Sequence, residues 1–175
     1  MKATRQKGDV IKFHKFTVGV MGGGENASLK TMQMAYRLGK LIAEEGWVFL
    51  CGGRAAGVMD ASARGAKEAG GLTVGILPDR HKGNASKYID IAIATGMGDG
   101  RNYINVLSSD IVVALPGMAG TISEIALALK NGKKVILLEF EIGDVFDYYR
   151  QNGLLVKVST PEQVIRLIKE YCSVG

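Results

Sequence analysis

Apolar residues in this chain fall into short runs, separated by stretches with helical spacing. Phe16 to Met21, Trp47 to Cys51, Leu72 to Leu77, Ile89 to Ile93, Ile111 to Leu115, Lys133 to Leu138 and Leu154 to Val158 read as strands. After the first, Met34, Leu38, Leu41 and Ile42 recur on one face of a predicted helix from about Ser28 to Glu45, which Gly46 stops. A second helix is predicted from about Gly57 to Ala69, with Gly70-Gly71 as its stop. A third follows Gly96, Gly98 and Gly100 and carries Arg101, Asn102, Ile104 and Leu107. A fourth opens at Gly120 or Thr121 and runs to Asn131, and a shorter one covers Val145 to Arg150. Thr160-Pro161-Glu162-Gln163 combines a capping box with proline at the first helical position, and starts a last helix that ends near Tyr171.

The strand runs are nearly continuous in apolar residues, as strands buried on both faces should be. Their alternation with helices predicts βαβ units. The expected fold is a single-domain Rossmann-like three-layer α/β sandwich, with a mostly parallel sheet of six or seven strands and helices on both faces. A length of 175 residues suits one such domain. No repeat, low-complexity segment or linker divides it, so the expected organisation is a basic tail over 1–15 and one domain over 16–175.

Charge first suggests nucleic acid, and its location removes the suggestion. Lys2, Arg5, Lys7, Lys12 and Lys15 against Asp9 place +4 of the net +5 in the first fifteen residues. The domain itself is nearly neutral and lacks the interleaved basic and aromatic residues of single-strand binders, so the tail reads as a solvated end. Cys51 and Cys172 stand far apart without a nearby histidine, which argues against zinc and for a reducing compartment. His14 and His81 have no companions at ligand spacing, so no metal site is expected. No run reaches membrane-spanning length and no signal-peptide core is present, so a cytoplasmic protein is expected.

Glycine changes the picture more. The 24 glycines are about twice the average share, and they gather in turns that follow strands: Gly22 to Gly24, Gly52 to Gly57, Gly96 to Gly100 and Gly117 to Gly120. In a parallel sheet these turns share the carboxyl edge, where α/β folds bind ligands. Gly22, Gly23, Gly24, Gly52, Gly53, Gly117, Met118, Gly120 and Thr121 are therefore candidate contacts to a phosphate or similar anion. Arg54 interrupts the second turn and is a candidate partner for the same anion.

Two motifs fail. Gly22 to Ala27 matches the dinucleotide fingerprint in form, but Cys51 stands where an acidic ribose ligand is expected. No GxxxxGK[ST] is present, which excludes an ATPase P-loop. Arg101 and Glu124 are the charged residues best placed for chemistry. A carboxylate beside an anion site suits glycosidic-bond cleavage, whose transition state is oxocarbenium-like. Thr121-Ile122-Ser123-Glu124 also reads as a capping box, with Glu124 in the first helical turn.

The segment Pro116 to Glu124, PGMAGTISE, resembles the PGGxGTxxE signature of the LOG ("lonely guy") phosphoribohydrolases. Gly52 to Met59 resembles that family's GGGxxGLM, with Arg54 in place of its third glycine. Arg101 matches the family's arginine, although Asn102 follows it where the family has lysine, and Met118 replaces a signature glycine. Trp47, the Gly-Gly-Arg turn, Gly65 to Gly71, Ile104 to Ser109 and Glu124 to Lys130 are similar to the molybdenum cofactor carrier branch of the same superfamily. The resemblance implies a Rossmann-like homodimer or homotetramer holding an anionic, phosphate-bearing small molecule at its glycine-rich edge. That ligand would be a molybdopterin-type cofactor or a nucleoside monophosphate, with no cofactor needed for catalysis. A carrier is the leading expectation. The alternative is a LOG-like hydrolase that uses Glu124 and Arg101 to release a base and ribose 5-phosphate, and a nucleotide sensor is the third.

Overall fold

The computed structural model describes residues 15–174; apart from Lys15, the basic tail and His14 lie outside them. Seven strands form one sheet: β1 (Thr17–Met21), β2 (Val48–Cys51), β3 (Thr73–Leu77), β4 (Ile91–Ala94), β5 (Ile111–Ala114), β6 (Val135–Leu138) and β7 (Leu155–Val158). Among the described residues, six α-helices accompany them: α1 (Leu29–Glu44), α2 (Gly57–Glu68), α3 (Arg101–Leu107), α4 (Ala119–Lys130), α5 (Asp147–Gln151) and α6 (Pro161–Val174). The strand order is β4-β3-β2-β1-β5-β6-β7 and every pairing is parallel. The expected sandwich is present, and its sheet is parallel throughout rather than mostly so.

The continuous apolar runs resolve into two cores by strict alternation. On one face Val18, Val20, Phe49, Cys51, Ile111, Val113, Ile136 and Leu138 meet α1, α2 and α6 through Leu38, Ile42, Val58 and Ile168. On the other, Met21, Leu50, Ile76, Val112, Ala114, Val135 and Leu137 meet Val106 of α3 and Ile125, Ala128 and Leu129 of α4. Both faces of the central strands are thus buried, which is why the sequence showed no polar alternation there.

Helices α1 and α2 pack through glycines. A Cβ on Gly39 would fall on the Ser62 carbonyl, and one on Gly65 would fall on the Tyr36 carbonyl. Neither obstacle is a flexible side-chain end. Gly39→Ala is therefore expected to destabilise the protein by about 3 kcal/mol despite alanine's better helix propensity, because the helices must separate. Urea unfolding of the variant checks this, and an unchanged midpoint would show that the helices yield freely.

Several boundaries differ from expectation. The fourth strand begins at Ile91, not Ile89, and forms a sheet edge on which Ile91 and Ile93 are exposed. The short helix is Asp147–Gln151, and the last helix continues to Val174. Its capping box forms as read: Gln163 N donates to Thr160 Oγ1 at 3.2 Å, and Thr160 N donates to Gln163 Oε1 at 3.0 Å. No described helix is long and apolar enough to cross a membrane.

Candidate functional site

Strand β1 feeds α1 on one face and β5 feeds α4 on the other, so the chain diverges between these neighbours. That divergence opens a crevice at the carboxyl edge, the switch point of an open α/β sheet. Val20, Met21, Gly22, Gly23, Gly24, Gly52, Met59, Asp99, Arg101, Asn102, Met118, Gly120, Thr121 and Glu124 line it.

Backbone contacts fasten three turns together around this opening. Gly23 N donates to Pro116 O at 3.0 Å, and Val58 N donates to Gly23 O at 2.9 Å. Gly57 sits at φ +51, and a Cβ there would strike the Gly23 and Gly24 carbonyls, so glycine is the residue this approach permits. The helix entrances differ. Ser28 caps α1, accepting from Thr31 N at 3.1 Å, whereas Met118, at the N-cap position of α4, supplies no side-chain cap. Through Met118, Gly120 and Thr121 the start of α4, with its positive dipole end and no side-chain cap, borders the crevice.

Glu124 lies in the second turn of α4, because that helix opens at Ala119, earlier than its sequence suggested. It is not the carboxylate of a capping box. It points across to α3 and accepts from Asn105 Nδ2 at 2.9 Å, with Arg101 Nη1 3.7 Å from the same oxygen. Both charged side chains are nearly enclosed, at 12% exposure for Arg101 and 8% for Glu124. Burial raises the Glu124 carboxyl to about 7, against the opposing pull of Asn105 and Arg101. Burial also draws the guanidinium below its ordinary range, partly offset by Glu124. Arg101 Nε is buried without a hydrogen-bond partner, as is Asn105 Oδ1. The Cys51 thiol, held protonated by burial at about 12, accepts from Gly53 N at 3.3 Å. Among the described residues, no group of three or more His, Cys, Asp or Glu could hold a metal ion.

The other candidates are distributed around this centre. Gly117 and Met118 border a neighbouring groove with Glu25, Asn26 and Ser28, and Met118 is 75% exposed at the rim between the two. Gly53 lines neither. Arg54 is not among the residues that line the crevice: its side chain pairs with Asp79 at 3.4 Å, and its backbone bridges to Ala85 in the loop after β3. The third glycine turn, Gly96 to Gly100, contributes Asp99 rather than its glycines. Sequence reasoning did not single out Asn105 or Asp99. For Asn105 a signal was available, since it stands four residues after Arg101 and so shares its helix face.

Gly52 sits directly beneath the arginine. An added Cβ would lie 2.5 Å from Arg101 Nη1 and 2.7 Å from Nη2. Because the obstacle is the end of a flexible side chain, Gly52→Ala is expected to displace the guanidinium while changing unfolding stability by less than about 1 kcal/mol. On the expectation that the crevice takes an anion, binding of inorganic phosphate should fall about tenfold in this variant, as for loss of one charge-assisted hydrogen bond. Calorimetry beside a thermal melt checks both effects, and retained phosphate affinity would count against Arg101 as a contact to the expected anion.

Comparison with known proteins places the chain in a family. The model of the SLOG cluster4 family matches residues 15–165. The chain belongs to the SLOG cluster4 family. Among solved structures, this member is similar to the molybdenum cofactor binding protein of the phototrophic bacterium Rippkaea orientalis. The two share 50% identity and a TM-score of 0.86, over 91% of this chain and 99% of the other. It is also similar to the molybdenum cofactor carrier protein of Chlamydomonas reinhardtii, at 38% identity, TM-score 0.84, 91% of this chain and 99% of the other. A more distant likeness is to the cytokinin riboside 5'-monophosphate phosphoribohydrolase of Mycobacterium tuberculosis, 31% identical over 119 residues. That match covers 67% of this SLOG cluster4 chain and 64% of the enzyme, less than two thirds of its length.

Proposed function

We propose that this protein binds a phosphate-bearing small molecule of the molybdenum-cofactor type in the crevice, and acts as its carrier. The carrying observation is the buried guanidinium of Arg101, whose Nε–H has no protein partner, in a crevice that also receives the uncapped start of α4. A buried donor of this kind is costly unless a ligand or water completes it. The residues suit an anion, and no described metal-ligand cluster is available to grip molybdenum directly. Recognition in this reading runs through the ligand's phosphate and ring system. The crevice holds about 180 Å³, below the roughly 300 Å³ at which whole-ligand pockets begin. The phosphate end would sit inside, with the bulky ring passing over the Met118 rim. Likeness to the two molybdenum cofactor proteins, over nearly their whole length, supports the same reading.

A second reading has its own observation. A crevice carboxyl raised to about 7 is available both as acid and as base near neutral pH, which suits hydrolysis of a nucleoside 5′-monophosphate. The similarity to a phosphoribohydrolase agrees with it.

One experiment separates the two. The purified protein is incubated with a panel of nucleoside 5′-monophosphates, and free base and ribose 5-phosphate are followed beside Glu124→Ala and Arg101→Ala. No release, together with saturable binding of a molybdopterin-type ligand, supports the carrier. Release that disappears in both variants overturns it in favour of the hydrolase. Sedimentation of the same preparation tests the homodimer or homotetramer expected from the resemblance.

A further inference from the structure

We infer that Asn105 is a positioning residue, holding the Glu124 carboxylate away from Arg101 and so keeping the guanidinium open to an anionic ligand. This inference rests on the reading that Arg101 meets an anion.

Arg101 and Asn105 stand one helical turn apart on α3 and bracket a single oxygen of Glu124 on α4. Asn105 Nδ2 reaches that oxygen at 2.9 Å, a good hydrogen bond, while Arg101 Nη1 remains at 3.7 Å, beyond hydrogen-bond range. A carboxylate and a guanidinium enclosed together ordinarily close into a two-pronged fork, with two N–H donors on two oxygens. Here the fork is open. Arg101 Nε is left without a partner, although a carboxylate oxygen on the facing helix lies 3.7 Å from Nη1 of the same guanidinium.

Asn105 is fully buried, and its own Oδ1 has no partner. An orphaned buried acceptor is unfavourable, so packing alone does not account for the amide; leucine has nearly the same shape and no such liability. What leucine lacks is the Nδ2 donor that restrains Glu124. The neighbouring contact, Ser109 Oγ donating to the Asn105 carbonyl at 2.7 Å, uses only the main chain and survives substitution. Without the amide, Glu124 is free to swing onto Nε and Nη1 of Arg101. The crevice would then be closed internally by its own ion pair.

The test is Asn105→Leu made both in the wild type and in Glu124→Gln. Hydrogen exchange at Arg101 Nε is followed by NMR on arginine-labelled, ligand-free protein, and binding of inorganic phosphate and ribose 5-phosphate is measured by calorimetry. In the wild-type background, exchange should slow and phosphate affinity should fall, each about tenfold or more, as the charge-assisted fork closes. In the Glu124→Gln background, Asn105→Leu should change neither, because no carboxylate remains to collapse. Unchanged exchange in Asn105→Leu overturns the inference, and so does an equal loss of affinity in both backgrounds, which is the signature of a packing role. If the leucine variant does not fold, Asn105→Ala is read by the same comparison. Failure of the wild type to bind either phosphate probe would sink the proposed function, while the exchange comparison, made without ligand, still decides the role of Asn105.

Discussion

Replacing Arg101 by alanine is expected to weaken binding of a phosphate monoester roughly 100-fold or more while the fold stays intact. The guanidinium is almost enclosed, and its Nε–H has no partner in the protein. Hydrogen bonds to charged groups contribute about 1.5–3 kcal/mol each. Two of them to one phosphate therefore correspond to about 3–6 kcal/mol, with each 1.4 kcal/mol being about a tenfold change in affinity. The fold should tolerate the loss because burial already works against the charged guanidinium. The remaining Glu124 carboxyl, deprived of its nearby cation, answers by holding its proton more firmly. Arg101→Lys should recover only part of the affinity, since an ammonium is a point charge without the planar Nε–Nη edge. Calorimetry with ribose 5-phosphate and with a nucleoside 5′-monophosphate measures this. Unaltered affinity in Arg101→Ala would remove the anion site from the crevice altogether.

The fold was legible because its information is local and repeated. Five- and six-residue apolar runs punctuated by glycine leave few alternatives to parallel strands with helical crossovers. The edge strand was read less well. Ile89, Ile91 and Ile93 look like one buried run, but Ile89 belongs to the approach loop and packs on the α1 and α2 side. Ile91 and Ile93 are exposed because β4 has no neighbour beyond it among the described residues. Position within a sheet is a tertiary property that period-two patterning does not carry.

The site followed the same division. The glycine turns announced the carboxyl edge, and four of them read together pointed to one crevice. Arg54 and Glu124 show what spacing does not carry. Arg54 sits in a phosphate-like turn, yet the loop after β3 returns beside it and offers Asp79 as a partner. Thr121 and Glu124 have capping-box spacing, yet α4 has already begun at Ala119. Glu124 is instead claimed by Asn105 and Arg101, residues of a helix that the crossover from β4 brings alongside. A cap is read from four consecutive residues, whereas this contact depends on how α3 and α4 lie together.

Glu124→Gln is expected to stabilise the protein by about 3 kcal/mol near pH 8, and the gain should vanish at low pH. Burial raises the carboxyl from its ordinary value of 4.5 to about 7 in the folded chain. Between those values the folded state keeps a proton that the unfolded state has released, so stability falls as pH rises through this window and levels off above it. At about 1.4 kcal/mol per pH unit, the gap corresponds to about 3 kcal/mol of lost stability in the wild type. Glutamine keeps the shape and stays neutral, so the variant escapes the loss. Its melting temperature should exceed the wild type's by roughly 6–12 °C at pH 8 and match it near pH 4, given about 2–4 °C per kcal/mol for a chain of this size. Carboxylates elsewhere titrate in both proteins and cancel in the comparison. A difference in melting temperature that does not vary with pH would show that Glu124 is not ionised at the expense of folding. The expected result has a functional meaning. A chain that retains a buried, destabilising carboxyl beside its one crevice arginine is trading stability for something the crevice does. Ligand binding in the glutamine variant says what that is: binding retained with turnover absent throughout fits a carrier, and turnover lost with binding intact fits a hydrolase.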